Sequence, residues 1–184
     1  MVKIIPIVLC FALALLFCVT IGTTFDHKTF TDAEDYSKIF ELTELRFDEV
    51  AMELFPGNIE DLTVADFYCE WEIGIVGSAK AEILLSAKYE AADFDAEIDR
   101  LRSLANGKIL YDTQTFQYPA YVSVLGYQDT NYYALIDEEN QTIHYLLLQL
   151  IKAEDINTDH AYLPDGYVEY GANEEFNLNV YYAS

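Results

Sequence analysis

The feature that most constrains this chain is an uninterrupted apolar stretch near its start, residues 4–22, which carries no charged side chain. As an α-helix its 19 residues would be about 28 Å long, close to the thickness of the hydrocarbon layer of a membrane. Lys3 precedes the stretch, and acidic residues follow it. The positive-inside rule then leaves the N-terminus in the cytosol and sends the rest of the chain outside. We therefore predict a targeting segment over residues 1–24 and a single extracytoplasmic domain over residues 25–184.

Three processing outcomes are compatible with the apolar stretch. We favour its retention as a membrane anchor. A cleaved signal peptide is the second outcome, with Thr20 and Gly22 at the positions where small residues precede the cut. A lipoprotein signal ending at Cys18 is the third, although Phe17 stands where a small residue is expected. The domain is exported in all three cases, and it is secreted if the segment is cleaved.

The exported part is strongly acidic. The chain has 32 Asp and Glu against 10 Lys and Arg, so its formal net charge is −22. A surface of this sign repels phosphate backbones, which proteins bind through clusters of Lys and Arg. Nucleic acid is therefore excluded as an expected partner. Cations and basic proteins remain compatible with the charge.

Cysteine usage predicts a fold that depends on its apolar core. Cys10 and Cys18 lie in the apolar stretch, which leaves Cys69 alone in the domain. A single cysteine cannot form an internal disulfide, and we interpret Cys69 as a small buried hydrophobic residue. Apolar residues make up 52% of the chain, enough for a sizeable core.

Hydrophobic spacing predicts two helices. The first begins at a capping box, Thr31 to Glu34, and continues to Leu54, before the helix-breaking pair Pro56-Gly57. The second covers residues 93–105, with acidic residues early and arginines late, as the helix dipole favours.

Alternation of apolar and polar residues predicts about five strands in an antiparallel sheet. The last of them is apolar on both faces, so it should lie in the centre of the sheet. Together with the helices, which we place on one face, the pattern predicts an α+β domain; helices on both faces are the alternative. A short edge strand and a final strand are further possibilities. The five strands are predicted at 67–73, 81–89, 121–127, 132–137 and 142–151, and the two further ones at 109–117 and 176–182.

The motifs of the common enzyme classes are absent from the sequence. It contains no Gly-x-Ser-x-Gly, no Cys-x-x-Cys, no His-Glu-x-x-His and no phosphate-binding Gly-Lys-Thr or Gly-Lys-Ser. We interpret His144 as a sheet-face histidine without a catalytic role. We interpret Glu70 and Glu72 as acids on a solvated strand face and not as a glycosidase pair.

One short segment resembles the beginning of a calcium loop. Asp155, Asn157 and Asp159 occupy positions 1, 3 and 5, where such a loop supplies oxygen ligands. The match fails further on, because His160 stands where Gly is needed for the turn and Gly166 where a bidentate Glu is needed. Calcium is thus the one cofactor for which the sequence offers candidate ligands.

Tyrosines are concentrated in the second half of the chain. Tyr combines a rigid ring with a polar tip and is common on recognition surfaces. We therefore name Tyr121, Tyr132, Tyr133 and Tyr145 as a candidate ligand surface. The competing interpretation is that these rings cover the faces of the sheet.

Asn140-Gln141-Thr142 has the form of an N-glycosylation acceptor and falls in a predicted turn.

These patterns together predict a membrane-tethered, extracytoplasmic binding or protein-interaction module without catalytic activity. Its membrane contact would be residues 4–22, and its ligand a protein or a cell-wall component. The alternative is a cell-surface enzyme whose site is assembled from distant residues.

Overall fold

A computed structural model describes residues 26–42, 52–73, 79–107, 109–123, 130–165 and 167. The predicted membrane segment and the predicted strand 176–182 lie outside these residues, as does part of the predicted first helix, residues 43–51. Within the described part of the chain, no helix has the length and apolar character needed to cross a membrane.

Among the described residues, seven strands form one antiparallel sheet in the order β1-β2-β3-β7-β6-β5-β4. The helical elements whose bounds are described include the α-helix α1 and the 3-10 helices η1 to η3. The strands are β1 (His27–Phe30), β2 (Thr63–Ile73), β3 (Ala79–Lys88), β4 (Ile109–Asp112), β5 (Ala120–Ser123), β6 (Thr130–Asp137) and β7 (Thr142–Gln149). The helices are η1 (Ala33–Glu41), α1 (Ala91–Leu104), η2 (Ala153–Asp155) and η3 (His160–Tyr162).

The α+β class and the antiparallel sheet are confirmed, whereas the strand number of about five is wrong. The two additional strands, β1 and β4, have four residues each and form the two edges of the sheet. Four residues are too few for a period of two to stand out from the surrounding sequence. Only β4 lies within a region where an edge strand was considered.

The central position predicted for β7 is confirmed. This strand pairs with β3 on one side and β6 on the other, and all eight of its residues are buried. β3 pairs with β2 on its other side. In its register Glu72 lies opposite Lys80, while Glu70 lies opposite Glu82.

The sheet has an apolar cluster on each face. The cluster on the first face contains Tyr36 and Ile39 of η1 and Phe94 and Leu101 of α1, packed on the apolar residues of the strands. The cluster on the second face is covered by two chain segments, 113–118 before β5 and 151–165 after β7. Both main helices therefore lie on one face, as predicted, and irregular segments close the other.

The first helix differs from its prediction in type and in its cap. Residues Ala33–Glu41 form a 3-10 helix, and Asp32 is its N-cap in place of Thr31. The Asp32 carboxylate accepts a hydrogen bond from the backbone N–H of Glu34 at 3.1 Å. This contact satisfies a free N–H of the first turn, which is the role that the capping box assigned to Thr31.

Arg100 joins α1 to the turn at Glu53 and Leu54. Its guanidinium donates to the backbone carbonyls of Glu53 and Leu54 and forms two bonds with Glu97 on its own helix, of 2.6 and 2.7 Å. A planar guanidinium can make these bonds together, whereas an ammonium cannot.

We expect Arg100→Lys to lower the free energy of unfolding by about 2 kcal/mol, because hydrogen bonds from a charged donor are lost at a partly buried site. Urea denaturation followed by circular dichroism measures the effect. Arg102→Lys is the matched control, since the ion pair of Arg102 is with the exposed Asp99 on the same helix. Equal losses in the two variants would contradict the role assigned to Arg100.

Candidate binding surface

A groove of about 530 Å³ lies between the start of η1 and the turn before β2. We call it the acidic groove. Half-buried Ile59, Leu62 and Val64 give it an apolar part. Glu34 and Glu60 are exposed and give it two carboxylates. Its volume lies within the usual range of ligand sites.

Local turns place both carboxylates. Glu34 stands in the first turn of η1, which Asp32 caps. Glu60 follows Asn58, whose side-chain oxygen accepts from the backbone N–H of Glu60 at 2.9 Å. Asn side chains commonly close turns in this way. The hydrogen bond fixes the backbone at Glu60 and so the direction of the Glu60 side chain. Neither carboxylate depends on a regular strand or an α-helix for its position.

The described residues that line the acidic groove include no Lys, Arg or His. The nearest cation in sequence is Lys38, which pairs with Asp35 at 2.6 Å and lies over the ring of Phe30. Apolar surface continues beside the groove, because the ring of Phe40 is 41% exposed and packs edge-on against Tyr36. The groove thus combines apolar surface with uncompensated negative charge.

The groove lies at the end of the sheet opposite to the start of β1. His27, the first residue of β1, pairs with Glu72 near the end of β2. The groove residue Val64 lies near the beginning of β2. At the usual rise of a strand the two positions are about 27 Å apart.

The four tyrosines named as a ligand surface are buried and do not share a face. Tyr121, Tyr132 and Tyr145 belong to the cluster on the helix-covered face, and Tyr133 belongs to the opposite cluster. The structure therefore supports the competing interpretation, in which these rings cover the faces of the sheet.

An exposed tyrosine does lie next to one of them. Tyr111 on the edge strand β4 is 54% exposed, and its ring centroid lies 4.9 Å from that of Tyr121. Both rings border a second, smaller groove of about 260 Å³, together with Arg102 and Glu138. This groove carries charges of both signs and gives no clear preference for a ligand.

The candidate calcium ligands do not converge in the structure. Asp159 caps η3 and accepts from the backbone N–H of Ala161, and the Asn157 amide nitrogen donates to the carboxylates of Glu70 and Glu82. Asp155 lines a separate small cleft of about 80 Å³. In the described part of the chain, no group of three His, Cys, Asp or Glu side chains is placed to hold a metal ion.

The segment after η2 wraps a carboxylate. Glu82 is fully buried in β3, and its two oxygens accept hydrogen bonds from the backbone N–H groups of Asn157 and Thr158 at 2.6 to 3.0 Å. The Asn157 side chain adds a further bond at 3.2 Å. These donors replace the water that a buried carboxylate loses. Glu82 therefore fastens this segment to the second face of the sheet.

Glu70 lies beside this contact and joins β1 to it. Its carboxylate accepts from Tyr68 at 2.5 Å, from Asn157 at 3.1 Å and from the His27 ring at 2.9 Å. The hydrogen bonds from Tyr68 and His27 lower the pKa of Glu70. The arrangement stabilises an ionised carboxylate at the sheet surface and holds the edge strand β1 in place.

Among the described residues, Ser86 and His144 form a contact that resembles a nucleophile with its base. Ser86 Oγ lies 2.8 Å from His144 Nδ1, and the imidazole stacks on Tyr162 with centroids 4.2 Å apart. Burial lowers the pKa of His144. Ser86 is only 3% exposed. The pair is a buried polar contact, and His144 lies on a face of the sheet, where the sequence placed it.

Cys69 is buried and forms no disulfide, as predicted. Burial, with a smaller contribution from Glu70, raises the pKa of its thiol to about 12. A thiol held in its protonated form is a poor nucleophile.

Hydrophobic spacing did not indicate the acidic groove. Its carboxylates stand in a cap and in a turn, where there is no period to detect. The Asn58-x-Glu60 turn was the one local signal available. No known family model matches the chain, and no curated protein and no solved structure shows significant similarity to it.

Proposed function

We propose that the chain is a membrane-tethered, extracytoplasmic binding module without catalytic activity, and that its acidic groove takes a basic, apolar segment of a partner protein. The observation that carries the proposal is the composition of the groove. It joins half-buried Ile59, Leu62 and Val64 to two exposed carboxylates, with no cation among the described lining residues.

The short connection to the apolar stretch supports an outward orientation of the groove. That stretch ends at Gly22 and β1 begins at His27, so the intervening residues 23–26 span at most about 14 Å. The start of β1 would then lie close to the membrane surface. The groove would lie about 27 Å further out, at the opposite end of β2, where a protein partner can approach it.

Charge favours a cationic ligand at this place. The net charge of −22 attracts basic partners from a distance and increases their association rate. Within the groove, Glu34 and Glu60 would pair with Lys or Arg, while the apolar part would accept aliphatic side chains between them. A small anionic ligand would be repelled both by the net charge of the chain and by the two carboxylates of the groove.

The test uses the full-length chain in detergent micelles and a fluorescent peptide of alternating Lys and Leu residues, with binding followed by anisotropy. We expect Glu34→Lys/Glu60→Lys to weaken binding by about tenfold or more, since two exposed ion pairs of up to about 1 kcal/mol each are lost and replaced by repulsion. Circular dichroism checks that the variant is folded.

The matched control is Glu138→Lys/Glu139→Lys, in the exposed turn between β6 and β7, which makes the same change in net charge. It should retain most of the affinity. Equal weakening by both double variants would show that the peptide responds to the overall charge and would contradict binding in the groove. Unchanged binding by the groove variant would contradict the proposal directly.

No described side-chain arrangement favours the alternative of a cell-surface enzyme. The buried Ser86–His144 pair and the hydrogen-bonded Glu82 are both explained by their structural contacts.

A further inference from the structure

The sequence contains a single Asn-x-Ser/Thr triplet, Asn140-Gln141-Thr142. Such a triplet becomes an acceptor for N-linked glycans only where the chain is exported and the asparagine is exposed. The position of the triplet in the fold therefore decides whether Asn140 can accept a glycan.

The triplet lies in the turn between β6 and β7. Glu138, Glu139 and Asn140 are exposed there, and Gln141 has a φ of 52°, the left-handed conformation that closes the turn. Thr142 begins β7 and lies opposite Lys88, which in turn lies opposite Thr63 at the start of β2. The turn is thus at the same end of the sheet as the acidic groove, away from the start of β1.

The contacts of the Asn140 side chain are compatible with a substituent. Its Nδ2 donates one hydrogen bond, to Asp137 Oδ2 at 2.7 Å. An amide nitrogen carries two hydrogens, and this contact needs one of them. Replacing the other by a sugar keeps the bond to Asp137. The second Asp137 oxygen accepts from the backbone N–H of Asn140 at 3.1 Å, which a substituent on the side chain leaves unchanged.

We propose that Asn140 is an N-glycosylation site, an inference that rests on the export of the domain in the proposed function. The donor would be an oligosaccharide joined to a lipid diphosphate. A bond forms between Nδ2 and the first sugar carbon, the bond from that carbon to the diphosphate oxygen breaks, one amide proton is lost, and the lipid diphosphate leaves. No oxidant or reductant is required.

The experiment translates the full-length chain in the presence of microsomes that contain an oligosaccharyltransferase. We expect a product of lower mobility on gel electrophoresis, protected from added protease and restored to its original mobility by an endoglycosidase. Asn140→Gln and Thr142→Ala should abolish the shift, and Thr142→Ser should retain it. The unmodified chain made without microsomes gives the reference mobility.

The outcomes separate glycosylation from export. A protected product without a mobility shift would overturn the proposal for Asn140 and leave export standing. A product that is neither shifted nor protected would overturn both, because Asn140 would never meet the transferase. A shift that persists in Asn140→Gln would overturn the assignment to this residue.

Discussion

Replacing Glu82 by Ala is expected to free residues 156–158 from the sheet and to lower the free energy of unfolding by about 3 kcal/mol. Hydrogen bonds to charged acceptors contribute about 1.5–3 kcal/mol, and the variant also leaves buried N–H donors without an acceptor. The backbone N–H groups of Asn157 and Thr158 both donate to this carboxylate. Thr158 is itself buried, so water does not readily replace the lost acceptor.

Two measurements separate this local effect from a general loss of packing. Urea denaturation gives the change in stability, and hydrogen exchange reports on the amides of Asn157 and Thr158. Glu82→Gln is the matched variant, because it keeps the shape and one acceptor oxygen but turns an NH₂ group towards N–H donors; we expect an intermediate loss. Unchanged protection of the two amides in Glu82→Ala would contradict the contact.

The fold is expected to unfold cooperatively at alkaline pH. Burial raises the pKa values of Tyr36, Tyr89 and Tyr145, which lie between the helices and the sheet. The folded state therefore holds their protons more tightly than the unfolded chain, in which tyrosine has a pKa of about 10. Their contribution to stability is fully present below that pH. It is lost progressively as the pH rises above about 10 towards the higher values of the folded state.

The hydrogen bonds of these hydroxyls make the effect specific. Tyr145 donates to Glu97 at 2.6 Å and lies 2.6 Å from the Tyr89 hydroxyl, while Tyr36 donates to the carbonyl of Pro56 at 2.6 Å. A tyrosinate at position 145 would face the Glu97 carboxylate and repel it.

Tyrosinate absorbance and circular dichroism, followed together from pH 8 to about 13, check this prediction. The absorbance of the buried rings should appear with the loss of the circular dichroism signal. Tyr145→Phe should be less stable at neutral pH. Its free energy of unfolding should fall less steeply as the pH rises into the alkaline range, because one titrating group is gone. Ionisation of all tyrosines while the dichroism stays unchanged would contradict the prediction.

The elements that could be predicted from the sequence are those whose pattern repeats several times. In β2, β3 and β7 the apolar positions recur over eight or more residues, and α1 combines an apolar stripe with a favourable order of charges. Because β7 is apolar on both faces, its central position in the sheet could be predicted as well. In each case the pattern that permits the prediction lies within a single segment and on its two faces.

The tyrosines of β6 show where such local reasoning fails. Tyr132 and Tyr133 point to opposite faces, so an exposed strand would leave one ring in water. They are both buried because β6 lies between β5 and β7 and because irregular segments cover the second face. That cover includes residues 113–118 and 151–165, whose sequences carry no period, so the burial of the second face could not be foreseen.

The Glu82 contact and the acidic groove were beyond prediction for a related reason. Glu82 and Asn157 are 75 residues apart, and among 32 acidic residues nothing distinguishes the one that the segment wraps. The acidic groove likewise joins the start of η1 to a turn more than 20 residues later. Contacts of this kind follow from the tertiary fold and leave no spacing rule in the sequence.

The central position of β7 also imposes an order on synthesis. Its partner β3 is complete at Lys88, yet β7 is complete only at Gln149. At about 5–20 residues per second, β3 waits roughly 3–12 s on the ribosome with one edge open. An open strand edge is a template for another chain, so the nascent protein passes through an aggregation-prone interval that ends only when its last described strand arrives.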